Sequence, residues 1–155
     1  MSKLFKTSDE YVELIENQFA KTGLDTMGIN MKVGSTPKAK TLLKVTRIPS
    51  VTEFVNESHD TPDILVTVYE QAFDRLTPDV QNMLVEMALS TVFYDTEKDK
   101  LNIESDPYKP LFNMRRKYGD VITDNLELAS LAIQQIEDEE KERKEAEKAA
   151  KKTKK

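Results

Sequence analysis

"VQNMLVEMALSTVFYDTEKDKL", Val80 to Leu101, decides the fold. From Pro78 to about Tyr94, apolar side chains at Val80, Met83, Leu84, Val85, Met87, Ala88, Leu89, Val92 and Phe93 cover nearly the whole circumference of a helix. A helix apolar on all sides is central and buried. Thr77, Pro78 and Asp79 start it, with a capping hydroxyl, a proline in the first turn and an acid at the positive dipole end. "DTEKDK" then turns the chain, and "LNI" follows as a short strand.

Such a helix needs other elements around it. Upstream, "DILVTVYE" carries Ile64, Leu65, Val66 and Val68 and reads as a strand covered on both faces. "AFDRL" is a short helical turn. "MGINMKV" alternates, with Met27, Ile29, Met31 and Val33 facing one way, as a half-buried strand does. After the turn cluster "GSTPKAK", "TLLKVTRI" supplies a second strand with Leu43 and Val45 on one side, and a hairpin is the shortest way to join the two. Pro49 and Ser50 precede a short predicted helix, "VTEFVNES".

The first helix begins after Thr7 or Ser8, where Thr7 and Glu10 have capping-box spacing. Tyr11, Val12, Ile15 and Phe19 form its apolar face, and Gly23 stops it. Downstream, "PYKPLFNMRRKYG" reads as a helix with Arg115, Arg116 and Lys117 in its last turn and Gly119 closing it. From Asp120 the pattern is one long helix, with Leu126, Leu128, Leu131, Ala132, Ile133 and Ile136 as its stripe against the body. Beyond Ile136 only alanine remains among apolar residues, so residues 137–155 are expected as a solvated, fraying helix or a disordered tail. The expected fold is α+β: a three- to four-stranded sheet packed by a central buried helix, plus a long C-terminal helix. Residues 1–119 would form the α+β domain, 120–136 the helix packed on it and 137–155 the charged tail.

The composition agrees with one domain: 155 residues, 38% hydrophobic, enough for one modest core. Cysteine is absent, which removes disulfides and thiolate zinc sites and fits a reducing compartment. No apolar run approaches the roughly 20 residues that span a bilayer, and the N-terminus lacks the apolar stretch of a signal peptide. The expectation is a soluble intracellular protein with no membrane partner. The net charge of −5 is unevenly spread. Residues 141–155 carry eight Lys/Arg and three Glu, net +5, which leaves 15 basic and 25 acidic residues, net −10, elsewhere. An acidic body repels nucleic acid, so a nucleic-acid role would have to reside in the tail.

Three segments together, "PDILVTVYEQAFDRL", "VQNMLVEMALSTVFYDTEKDKLNI" and "FNMRRKYG", give the block from Asp63 to Gly119 a likeness to a known arrangement. It resembles the phage metallopeptidase family, a set of small zincin-like phage proteins, over a little more than a third of the chain. The resemblance implies a strand leading through a short turn into a helix that carries H-E-x-x-H, then an Asp, a hairpin and a closing helix. In such a motif two histidines one helical turn apart hold one zinc, and the glutamate between them is the general base. Counted back from Asp95, the histidine slots fall on Met87 and Thr91 and the glutamate slot on Ala88. A third ligand would come from near Asp106, the one residue there able to bind metal. Met and Thr are poor zinc ligands, and a catalytic zinc needs three protein ligands and an open position. The resemblance therefore implies a degenerate member with neither catalytic residues nor metal nor other cofactor, Met87 and Ala88 filling the former site with apolar volume.

Other constellations are weaker. Asp95, Glu97, Asp99 and Asp106 fall at positions 1, 3, 5 and 12 of a calcium-type loop, but Lys100 stands where such a loop needs glycine, which favours a solvated turn. The single histidine, His59, lies with Asp60 and Asp63 in a turn; His59, Asp95 and Asp106 make a hydrolytic site only if they converge. The functional expectation is a non-enzymatic phage protein that binds a host or phage protein, in the host cytoplasm or carried in the virion. The alternative is a nucleic-acid-associated phage protein using the tail patch of Lys148, Lys151, Lys152, Lys154 and Lys155.

Overall fold

A computed structural model describes residues 5–48 and 62–153. In chain order the elements are β1 (Phe5–Lys6), α1 (Asp9–Thr22), a single 3-10 turn (Leu24–Met27), β2 (Met31–Ser35), β3 (Leu43–Arg47), β4 (Ile64–Val68), α2 (Glu70–Phe73), α3 (Pro78–Leu89), β5 (Val92–Asp95), β6 (Lys100–Ile103), α4 (Tyr108–Tyr118) and α5 (Val121–Thr153). The architecture is α+β: a four-stranded sheet, a separate β5–β6 hairpin and a long C-terminal helix. The short helix expected in "VTEFVNES" lies outside the described residues, as does His59.

The strand order is β1-β2-β4-β3, so the expected hairpin between β2 and β3 does not form. β4 stands between them, parallel to β2 (Val33 opposite Val66) and antiparallel to β3 (Val45 opposite Val66). Burial overrides chain adjacency. Ile64, Val66 and Val68 of β4 are 0, 1 and 0% exposed and take the centre. β3, with exposed Lys44 and Arg47, takes the edge, where charged side chains discourage unwanted pairing. The expected coverage of β4 on both faces also needs correction: Leu65 and Thr67, on the face opposite the core, are only half-buried.

Tyr11, Ile15 and Phe19 of α1 and Val85 and Leu89 of α3 pack with Ile64, Val66 and Val68 in one core; Phe73 joins it from α2. Gly23 ends α1 at φ 78°, the left-handed conformation that glycine adopts without steric cost. The capping box does not form. Thr7 is buried, and the Ser8 N–H instead donates to Glu70 Oε1 at 2.8 Å, tying the helix start to α2. Helix α3 stops at Leu89, not near Tyr94. Ser90 and Thr91 hydroxyls donate to the Met87 and Ala88 carbonyls, both at 2.6 Å, occupying acceptors of the last turn. Val92 to Tyr94, β-branched and aromatic, then pair with Leu101 to Ile103.

α5 docks through Ile122, Asn125, Ala129, Ala132 and Ile136, at spacings of three and four. Leu128 and Leu131, expected in that stripe, are exposed on its outer side. Arg75 holds the helix with a forked pair to Glu139, at 3.1 and 2.7 Å. The helix continues as a regular structure to Thr153.

Candidate functional site

Edge strand β3 borders an open groove. The Tyr69 N–H donates to the Leu42 carbonyl at 2.8 Å, and the Ile48 N–H donates to the Asp63 carbonyl at 2.9 Å. These bonds fix the parity of the antiparallel ladder. Even-numbered residues of β3 bond to β4, and Leu43, Val45 and Arg47 turn their N–H and C=O groups the other way. Arg47 Nη1 donates to the Leu101 carbonyl at 3.0 Å, so β6 sits against that end of the strand. Along Leu43 to Val45 a groove of about 860 Å³ follows the edge, with Ala88, Thr91 and Ile103 opposite and Lys38, Lys40 and Lys44 around it.

The groove leads into a recess of about 310 Å³ between β3, α3 and α5, lined mainly by Leu43, Leu84, Met87, Leu126, Ala129 and Ile133. Met87, Ala88 and Thr91 are therefore brought together, and Ala88 and Thr91 border both spaces. All three are half-buried walls of an opening, so the apolar volume of Met87 and Ala88 borders the space and does not close it. Asp106 is not a neighbour in this lining. It is exposed, and its Oδ1 accepts the Tyr108 N–H at 2.9 Å to begin α4. Among the described residues no group of three His, Cys, Asp or Glu is placed to hold a metal ion. Asp95 Oδ1 accepts the Glu97 and Lys98 N–H groups, at 3.0 and 3.2 Å, and Asp99 accepts from the Tyr94 hydroxyl at φ 48°. These carboxylates shape the hairpin turn.

A carboxylate clamp fixes the helix that borders the recess. Glu86 accepts from Lys117 Nζ and from the Tyr118 hydroxyl, both at 2.5 Å, joining α3 to the end of α4. Burial pushes the Glu86 carboxyl up, but the two hydrogen bonds and the nearby ammonium outweigh it and hold the group below the usual carboxylate range. A depressed folded-state value stabilises the fold above the ordinary glutamate range, and this is lost as pH falls through the depressed value. Glu86→Gln should therefore lower stability by about 1 kcal/mol at neutral pH. It should also flatten the acid side of a stability–pH curve measured by urea unfolding. An unchanged acid limb would show that the clamp carries no linkage.

Sequence reasoning missed Lys40, Lys44 and the outward backbone of Leu43 and Val45, because they become a site only once β3 is at the edge. The tail lysines are exposed where described: at about 100° per residue, Lys141, Lys144, Lys148, Lys151 and Lys152 share one side of α5. Lys154 and Lys155 lie outside the described residues. No helix among the described residues is long and apolar enough to cross a membrane. No family model, curated protein or solved structure matches the chain.

Proposed function

We propose that this protein is a binding module and not a hydrolase: a phage protein on a degenerate metallopeptidase-like fold that holds a segment of a host or phage protein in the groove beside β3. The observation that carries this reading is the groove itself. An edge strand with outward-facing backbone groups adjoins a half-buried apolar wall at Met87, Ala88 and Thr91, the positions where the resemblance puts ligands and base. Edge strands of this kind accept an added strand through main-chain hydrogen bonds. Apolar recesses of a few hundred Å³ accept a side chain.

The test is a thermal melt with and without zinc. A metal bound by the native fold alone stabilises it by mass action, by about 2.7 kcal/mol at a hundredfold excess over its dissociation constant. The expected result is no shift. A large rise reversed by a chelator would overturn the assignment and return the protein to the metalloenzymes.

A second reading has its own observation, the lysine side of α5. Contacts of those lysines with phosphates would make binding fall steeply with salt. In that case the full-length chain binds DNA or RNA at low salt and a chain lacking residues 141–155 does not. No binding by the full-length chain disposes of it.

A further inference from the structure

Resting on the reading of the groove as a polypeptide site, we infer that its occupant is an extended acidic segment, in which an apolar anchor residue is followed by a carboxylate. Three features of the groove specify that chemistry. The first is the parity of β3. Leu43 and Val45 present N–H and C=O groups toward the groove, spaced by about 7 Å as every second residue of a strand is. A partner strand laid there completes a backbone ladder, which a nucleic acid cannot do.

The second is the recess. A strand added to β3 continues both faces of the sheet. Its side chains on the Leu43 and Val45 side look toward Met87, Ala88 and Thr91, where the lining is mostly aliphatic and contains no aromatic ring among the described residues. The recess suits one aliphatic anchor and offers no platform on which a base would stack.

The third is charge. The described residues around the groove include Lys38, Lys40 and Lys44 and no Asp or Glu. Lys38 is engaged with Glu140 at 3.6 Å. Lys40 and Lys44 make no salt bridge among the described residues. In a chain of net charge −5 this is a local positive site, and it selects an anionic partner through encounter rate and register. Lys44 lies on the sheet face opposite Leu43 and Val45, so it meets the residue next to the anchor. Lys40 borders the recess as well as the groove and meets a carboxylate on the anchor's own side.

The experiment selects a library of random linear peptides against the full chain and measures the winners by fluorescence anisotropy. The expected winners pair an aliphatic residue with adjacent acidic residues. Double reversal, Lys40→Glu with Lys44→Glu, should weaken them by about tenfold or more, with the fold checked by circular dichroism. N-methylation of alternate peptide amides should abolish binding in one parity and spare it in the other, a readout that leaves the protein untouched. Winners unaffected by the double reversal would overturn the acidic assignment and leave the groove reading standing. Winners indifferent to N-methylation in both parities would overturn strand addition. If no peptide is selected and the chain instead binds a single-stranded oligonucleotide that Lys40→Glu with Lys44→Glu releases, both this inference and the groove reading fail.

Discussion

Phe73→Ala should lower the free energy of unfolding by roughly 3–5 kcal/mol, the range for emptying a fully enclosed phenylalanine site. Phe73 is 0% exposed and stands edge-on to Tyr11, with ring centroids 4.8 Å apart and planes at 83°. Its loss removes both the packed volume and an aromatic pair worth about 0.5–1.5 kcal/mol. The polar network beside it holds the cavity open. Tyr11 donates to Asp74, and Gln81 Nε2 donates to the Phe73 carbonyl at 2.8 Å. Burial, then that bond to Asp74, pushes the Tyr11 hydroxyl well above its ordinary range, so it remains a donor throughout the neutral range. With α1, α2 and α3 pinned there, the walls cannot collapse, and the cost belongs at the upper end. Urea unfolding should show a lower midpoint at unchanged slope. A loss below about 1 kcal/mol would mean that the site relaxes freely.

Val66→Asp should be worse. Val66 is the middle residue of the central strand, 1% exposed, between Val33 and Val45. Placing a carboxyl there without a partner costs roughly 2–7 kcal/mol even after it takes up a proton, on top of the lost methyl contacts. Set against a typical total of about 5–15 kcal/mol, the variant should be largely unfolded near neutral pH, with far-ultraviolet circular dichroism reduced to the signal of residual helix. Retention of the native spectrum and melting point would contradict the central placement of β4. The same substitution at Lys44, on the exposed face, should leave the melt nearly unchanged.

Most elements were legible from side-chain pattern, but the strand read over "MGINMKV" is displaced: Leu24–Met27 is a 3-10 turn that leaves Met27 exposed, and β2 runs from Met31 through Gly34 and Ser35, whose sequence reads as turn. Tyr11, Ile15 and Phe19 mark α1 at helical spacing, and α3 starts at Pro78 with Asp79 in its first turn, although the Thr77 hydroxyl at the N-cap makes no capping hydrogen bond. The topology failed for a non-local reason. Nothing near Leu43 or Met31 says that a strand more than twenty residues away will separate them; only the comparative burial of "ILVTV" does. The end of α3 was hidden for a different reason. Val92 and Phe93 are apolar enough to continue a buried helix, and the stop is made by two hydroxyls and by pairing with Leu101 and Ile103 beyond the turn. On α5, the register was obscured because Asn125 occupies a docking position while the more apolar Leu128 and Leu131 do not. The candidate site inherits the failure of topology. The positions Met87, Ala88 and Thr91 could be picked out on a helix, but their exposure to a groove depends on which strand lies at the edge of the sheet.

The 33 residues of α5 make a rod of about 50 Å at 1.5 Å per residue. Ile136 is the last of its buried residues, and from Lys141 onward every described side chain is exposed. The extension from Lys141 to Thr153 is thus about 20 Å of bare rod. A body of this size with such a spar has a larger Stokes radius than a sphere of 17.8 kDa and should elute early from a sizing column at any concentration. Its rotational diffusion is anisotropic, faster about the rod than across it. Amide vectors lie along a helix axis, so those of α5 will relax as if they belonged to a heavier molecule than those of the sheet.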